Sequence, residues 1–127
     1  MIRSLLAAGV LMTALSGCAT GDAAPSGVAL GQPVTMTPGQ RVSLPEGATL
    51  RYIEVTDDSR CRPNVQCIRA GDANVVFEFT PSGAVASRVV VNTDPQQSQA
   101  DIGALKLRVL SLGFEEAPKA TVQVDAR

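Results

Sequence analysis

The chain has 127 residues, with 11 lysine and arginine side chains against 12 aspartate and glutamate, for a formal net charge of −1. That balance leaves no basic excess with which to hold nucleic acid or an anionic bilayer through bulk charge. Histidine and tryptophan are absent, so no Ser-His or Cys-His nucleophile pair can form, and a zinc site would have to do without its commonest nitrogen ligand.

The first element in chain order is MIRSLLAAGVLMTALSGCAT. One cation, Arg3, precedes an apolar run over residues 5–15, and small residues follow; this is the pattern of a signal peptide. The run is half the length of a permanent membrane span, which takes about 20 residues. Leu15-Ser16-Gly17-Cys18 then resembles the lipobox of bacterial lipoproteins, in which leucine and two small residues precede an invariant cysteine. The resemblance implies diacylglycerol transfer to the Cys18 thiol, cleavage before it and acylation of the new amino group. Several acyl chains together anchor firmly where one binds only marginally. An ordinary secretory signal with an accidental cysteine is the alternative. Ala19 follows; by similarity to sorting in diderm bacteria, a residue other than aspartate there implies the outer membrane, on its periplasmic side. Cleavage would leave 110 residues, enough for one domain, with 10 basic and 12 acidic side chains.

Residues 18–33 are rich in Ala, Gly, Ser and Pro at first and read as a flexible tether. From residue 34 to 127 the hydropathy alternates with period two. Val34 and Met36, then Val42 and Leu44, share one face across a turn at 37–40. Leu50 and Tyr52 lie on one face of the next segment and Ile53 and Val55 on the other. Val75, Phe77 and Phe79 are in register in the segment after the cysteines, and 85–92 returns beside it as a hairpin partner. Residues 93–103 read as a polar loop. Over 104–113, Leu105, Leu107 and Val109 oppose Lys106, Arg108 and Leu110, with a helix as the competing reading for 98–112. A short strand through Val122 and Val124 closes the chain. Turn signals recur about every 8 to 12 residues, which predicts an all-β fold, a small antiparallel β-sandwich of immunoglobulin-like or open-barrel type.

Between the second and third of these segments lies DDSRCRPNVQC, with five residues between its two cysteines. In an exported protein two cysteines pair by default, and with Cys18 acylated only Cys61 and Cys67 remain. Pro63 and Asn64 supply the turn that brings them together. The spacing does not suit a redox pair, which lies two residues apart at a helix start. Around the cysteines stand Asp57, Asp58 and Asp72 with Arg60, Arg62 and Arg69. The carboxylates could be offered to calcium, but three arginines compete for them. The arginines could grip a carboxylate or phosphate on a partner, or the loop could be fastened by its own ion pairs. Gly71 marks a backbone position with positive φ, or a bulge, leading into the next strand.

Asp58-Ser59-Arg60-Cys61, Val65-Gln66-Cys67-Ile68 and Ala70-Gly71-Asp72-Ala73 together resemble a DSRCPxxVxCxWAGxA block found in a family of small, uncharacterised bacterial lipoproteins and secreted β-proteins. The resemblance covers about 16 residues. It implies a β-sandwich-like domain with a disulfide-pinned loop and brings no activity with it. Proline stands one position later here, after Arg62, and Arg69 occupies the place where tryptophan is usual.

Nothing else suggests catalysis. Lys106 and Lys119 sit in no Ser-x-x-Lys motif. Glu115 and Glu116 are adjacent, so on a strand they would face opposite ways and could not act as a glycosidase pair. The sequence therefore predicts a non-enzymatic, membrane-anchored lipoprotein of the cell envelope without metal or cofactor, acting as a binding or structural module. A second class is an inhibitor of an envelope or extracellular enzyme, a lytic enzyme or protease, since a preorganised loop loses little entropy on binding.

Overall fold

A computed structural model of the chain describes residues 26–127. The predicted signal peptide, Cys18 and the first part of the tether lie outside these residues. Among the described residues the strands are β1 (Ser26–Gly27), β2 (Pro33–Met36), β3 (Arg41–Ser43), β4 (Thr49–Thr56), β5 (Asn74–Thr80), β6 (Ser87–Asn92), β7 (Gln99–Ile102), β8 (Leu105–Leu112) and β9 (Ala120–Ala126), with a 3-10 turn at Pro45–Gly47. They form two sheets, β1-β3-β4-β5-β6 and β2-β9-β8-β7. All pairings are antiparallel except that of β1 with β3. The sheets do not close into a barrel, and the all-β sandwich read from the alternation is the fold observed.

The core lies between the sheets. Leu50, Tyr52, Val75, Phe77 and Val91 from the first sheet meet Met36, Ile102, Leu107, Val122 and Val124 from the second, each almost wholly buried. Each large side chain so enclosed contributes about 1.5–3 kcal/mol relative to exposure. The Tyr52 and Phe77 rings pack at 5.6 Å between centroids, tilted by 37°. This is the face predicted for Val75, Phe77 and Phe79.

Four expectations are corrected. The sequence predicts a tether over 18–33, but 26–33 belongs to the domain. Ser26 and Gly27 pair with Val42 and Ser43, the Val28 amide donates to the Ser43 carbonyl at 3.0 Å and that of Gly31 to Val124 at 2.8 Å, and Pro33 opposes Gln123. The segment thus steps from the edge of one sheet to the edge of the other. Next, the polar loop at 93–103 contains strand β7. It alternates, Gln99 and Asp101 polar and exposed with Ala100 and Ile102 turned inward, and as a four-residue edge strand it carries too few apolar residues to stand out. The hairpin strand expected over 85–92 begins only at Ser87, leaving Val85 exposed in the turn. Finally, Val55 does not share a face with Ile53. The β4–β5 register shifts between Tyr52 and Glu54, and the extra residue brings Val55 into phase with Leu50 and Tyr52 against the core. A second shift, between Val109 and Ser111 in β8, likewise turns Leu112 inward and leaves Leu110 exposed. A bulge of this kind adds one unpaired residue and reverses the alternation beyond it.

Candidate functional site

The cysteine segment, 57–73, joins β4 to β5 at one end of the sandwich. It leaves β4 through Asp57, whose φ of 52° turns the chain sharply. It then forms two rungs of its own: the Ser59 amide donates to the Asp72 carbonyl and the Cys61 amide to the Ala70 carbonyl, both at 2.8 Å. Cys61 and Cys67 are joined as a disulfide with their Cα atoms 5.8 Å apart. Asn64 takes a left-handed φ of 64° at the bend and Gly71 one of 65° on the return. The positive φ expected of Gly71 is there, and it has a second cause. A Cβ built on Gly71 would stand 1.9 Å from the Ser59 carbonyl oxygen, so the two legs approach as closely as they do only because no side chain intervenes. The base is tied by the Ala73 amide donating to Thr93 Oγ1 at 3.0 Å and the Thr93 amide donating back to the Ala73 carbonyl at 2.9 Å.

Arg60 holds the loop to the rest of the molecule. Its Nε donates to Asp58 Oδ1 and its Nη2 to Asp58 Oδ2, both at 2.9 Å. Nη1 donates to the Leu112 carbonyl and Nη2 to the Gly113 carbonyl, both at 2.8 Å. The guanidinium carbon lies 4.1 Å from the centroid of the Phe114 ring, a cation–π distance. Because Asp58 follows β4 and Leu112 ends β8, this one side chain braces the two sheets against each other. Its hydrogen bonds hold the Asp58 carboxyl below its ordinary range, since they favour the charged form.

Beside Arg60 a groove of about 720 Å³ runs between the start of the cysteine segment and the 113–118 loop. Ile53, Val55, Phe114 and Pro118 supply its apolar surface, and Glu54, Arg62, Glu115 and Glu116 its charges. The far wall is fixed by two contacts. Glu115 Oε1 accepts from the Lys119 amide at 2.7 Å, which lowers the Glu115 pKa. Tyr52 Oη donates to the Pro118 carbonyl at 2.7 Å, and burial pushes its hydroxyl up to about 12.

No protein-family model, curated protein or solved structure matches this chain. The site must be read from its own residues. Cys18 lies outside the described residues. Cys61 and Cys67 are paired as expected. Arg60, expected as a possible partner-binding residue beside Arg62 and Arg69, has a side chain only 9% exposed, with four of its five N–H donors engaged by Asp58, Leu112 and Gly113, so it is a brace rather than an open contact. Arg62 and Arg69 are exposed, and among the described residues neither side chain is hydrogen-bonded or ion-paired. The three aspartates go separate ways. Asp58 pairs with Arg60, Asp57 Oδ2 accepts from Asn74 Nδ2 at 3.2 Å, and Asp72 is bound to Ser59. Among the described residues no group of three or more histidine, cysteine or acidic residues is placed to hold a metal ion.

Two features were missed in the sequence. Phe114, Leu112 and Gly113 complete the setting of Arg60 from 52 to 54 positions away, and no local pattern announces such contacts. The other is the apolar tip. Val65 is 56% exposed and Ile68 fully so, and the signal was present as two aliphatic residues inside an otherwise polar turn.

Proposed function

We propose that this chain is a lipid-anchored protein of the bacterial envelope that works without catalysis, as a binding or structural module presenting the disulfide-pinned loop. The observation that carries this reading is the construction of 57–73. A disulfide, two backbone rungs and the Arg60 brace fix a segment whose tip, 62–69, is exposed throughout. A disulfide of this kind persists outside the cytoplasm, in agreement with the signal peptide and the lipobox at Cys18. The outer membrane, periplasmic side in a diderm host, is the location that Ala19 favours.

The same rigid tip supports the second reading, an inhibitor of an envelope or extracellular enzyme, because a loop already held in shape loses little entropy on docking. Metabolic labelling with palmitate tests the anchor: wild type takes up label and Cys18→Ser does not, and a labelled Cys18→Ser protein would refute the assignment. Affinity capture from detergent-solubilised envelopes with wild type and an Arg62→Ala/Arg69→Ala variant separates the two readings. Both substitutions leave Arg60 and the loop intact. Recovery of a lytic enzyme or protease that is lost in the variant, with inhibition in an activity assay, selects the inhibitor; a non-enzymatic partner selects the module.

A further inference from the structure

We infer that the partner of the cysteine loop is a second copy of this chain: the tip of one copy, with Val65 and Ile68 between Arg62 and Arg69, seats in the groove beside Arg60 of the other, and the exchange is reciprocal. The inference rests on the reading of the loop as a contact surface and is independent of the anchor.

Three observations carry it. The first is that tip and groove match. Residues 61–70 hold two cations and no acid, beside an isoleucine and a valine that no part of the domain covers. The groove offers the complement, with Ile53, Val55, Phe114 and Pro118 for the aliphatic side chains and Glu54, Glu115 and Glu116 for the cations. Asp58 and Arg60 neutralise one another, so the walls carry three carboxylates against the one cation Arg62. An apolar centre with charges at its rim is the ordinary anatomy of a protein interface, and opposite charges brought together select this docking over others.

The second is that the chain does not satisfy these groups itself. Arg62 lines the groove together with Glu115 and Glu116. Yet Arg62, Arg69 and Glu116 make no hydrogen bond or ion pair among the described residues, and Ile68 is fully exposed. Glu54 meets Arg88 only at 3.9 Å, with both side chains more than half exposed. The disulfide and the Arg60 brace hold the tip in this open shape, so docking costs little further ordering.

The third is that tip and groove adjoin. Arg62 belongs to both, as the first cation of the tip and as a lining residue of the groove. Two copies facing each other about a twofold axis beside Arg62 therefore place each tip against the other's groove in a single contact. Such a surface is complementary to itself, as a twofold dimer requires, and it closes without leaving a tip for a third copy.

Charge exchange tests this on the full-length, processed protein, held in density-matched detergent with micelles in excess and followed by sedimentation equilibrium. Wild type should form reversible dimers. Arg62→Glu/Arg69→Glu sets an acidic tip against an acidic groove, and Glu54→Lys/Glu116→Lys sets a basic tip against a basic one. Each alone should weaken the dimer at least about tenfold. An equimolar mixture of the two should restore it, which misfolded variants could not do. A wild type that is monomeric at about 100 μM, a mixture that stays monomeric although both variants are folded by circular dichroism, or species that grow beyond the dimer overturn the exchange. The affinity capture described above then separates the causes. A different partner that is lost with Arg62→Ala/Arg69→Ala leaves the loop a contact surface without the dimer, and unchanged partners remove the loop reading as well.

Discussion

The carboxylate of Asp58 and the guanidinium of Arg60 face each other through two parallel contacts of 2.9 Å, although only one residue separates them in the chain. The pair is a local clasp, and the remaining Arg60 donors reach Leu112 and Gly113 across the sandwich. Replacing Arg60 by alanine leaves two carbonyls without their guanidinium donor and the Asp58 carboxylate with only the backbone amide of residue 60. Such charged hydrogen bonds are worth about 1.5–3 kcal/mol, and partial exposure of Asp58 keeps the pair's own share small. Arg60→Ala should cost about 2–3 kcal/mol in urea denaturation, and Arg60→Lys should restore less than half, because an ammonium cannot supply the planar fork. An unchanged midpoint would show that the brace carries no stability.

Acid should loosen this end of the molecule. The Asp58 carboxyl lies below its usual value because Arg60 donates to it, so its contribution is complete above the ordinary carboxylate range, near pH 4, and is lost as pH falls through and below it. Asp58→Asn should be less stable than wild type at neutral pH and should lose part of the acid dependence. Parallel stability curves for the two proteins below pH 4 would contradict this.

Alkali should act at Tyr52. Its hydroxyl is raised from 10.0 to about 12, so stability from this group is intact below pH 10 and declines as pH rises from there toward 12. The slope is on the order of 1 kcal/mol per pH unit. Tyr52→Phe should remove that slope and cost about 1 kcal/mol at neutral pH through the lost bond to Pro118. Thermal denaturation of both proteins across this range is the measurement.

Two glycines with nearly the same φ, Gly71 at 65° and Gly83 at 70°, should respond differently to alanine. Nothing lies within 4 Å of a Cβ on Gly83, whereas one on Gly71 meets the Ser59 backbone. Gly83→Ala should cost about 1 kcal/mol, the ordinary penalty of a left-handed residue. Gly71→Ala should cost about 2–3 kcal/mol or more and break the rung between Ser59 and Asp72, visible as faster amide exchange at Ser59.

Removing the disulfide by Cys61→Ser/Cys67→Ser should cost about 2 kcal/mol, as the loop-closure estimate for so short a ring indicates. In native protein neither thiol should alkylate without reductant. Free alkylation of both would mean that the loop is not oxidised in its own compartment.

Much of the sandwich was legible because its strands have one wet and one dry face, as Val75, Phe77 and Phe79 show against Glu78 and Thr80. The alternation failed where geometry interrupts it. The extra residues at Ile53 and Leu110 reverse the faces, and nothing in TLRYIEVT or LKLRVLSL distinguishes a bulge from a continuous strand. Edge strand β7 was missed because a strand with little to bury carries little hydrophobic signal. At the site, the cysteine pairing and the role of Gly71 follow from local rules. The task of Arg60 does not, because its partners Leu112, Gly113 and Phe114 are brought to it by the packing of one sheet on the other.

Strand β2 pairs with β9 alone, so Thr35 finds its partner Thr121 only 86 positions further along the chain. Nothing nearer in sequence can complete that edge, and such distant closure is slow. The second sheet therefore stays unfinished until the last strand is in hand, and under the export proposed above the thread would remain loose enough to pass through a secretion pore before it locks.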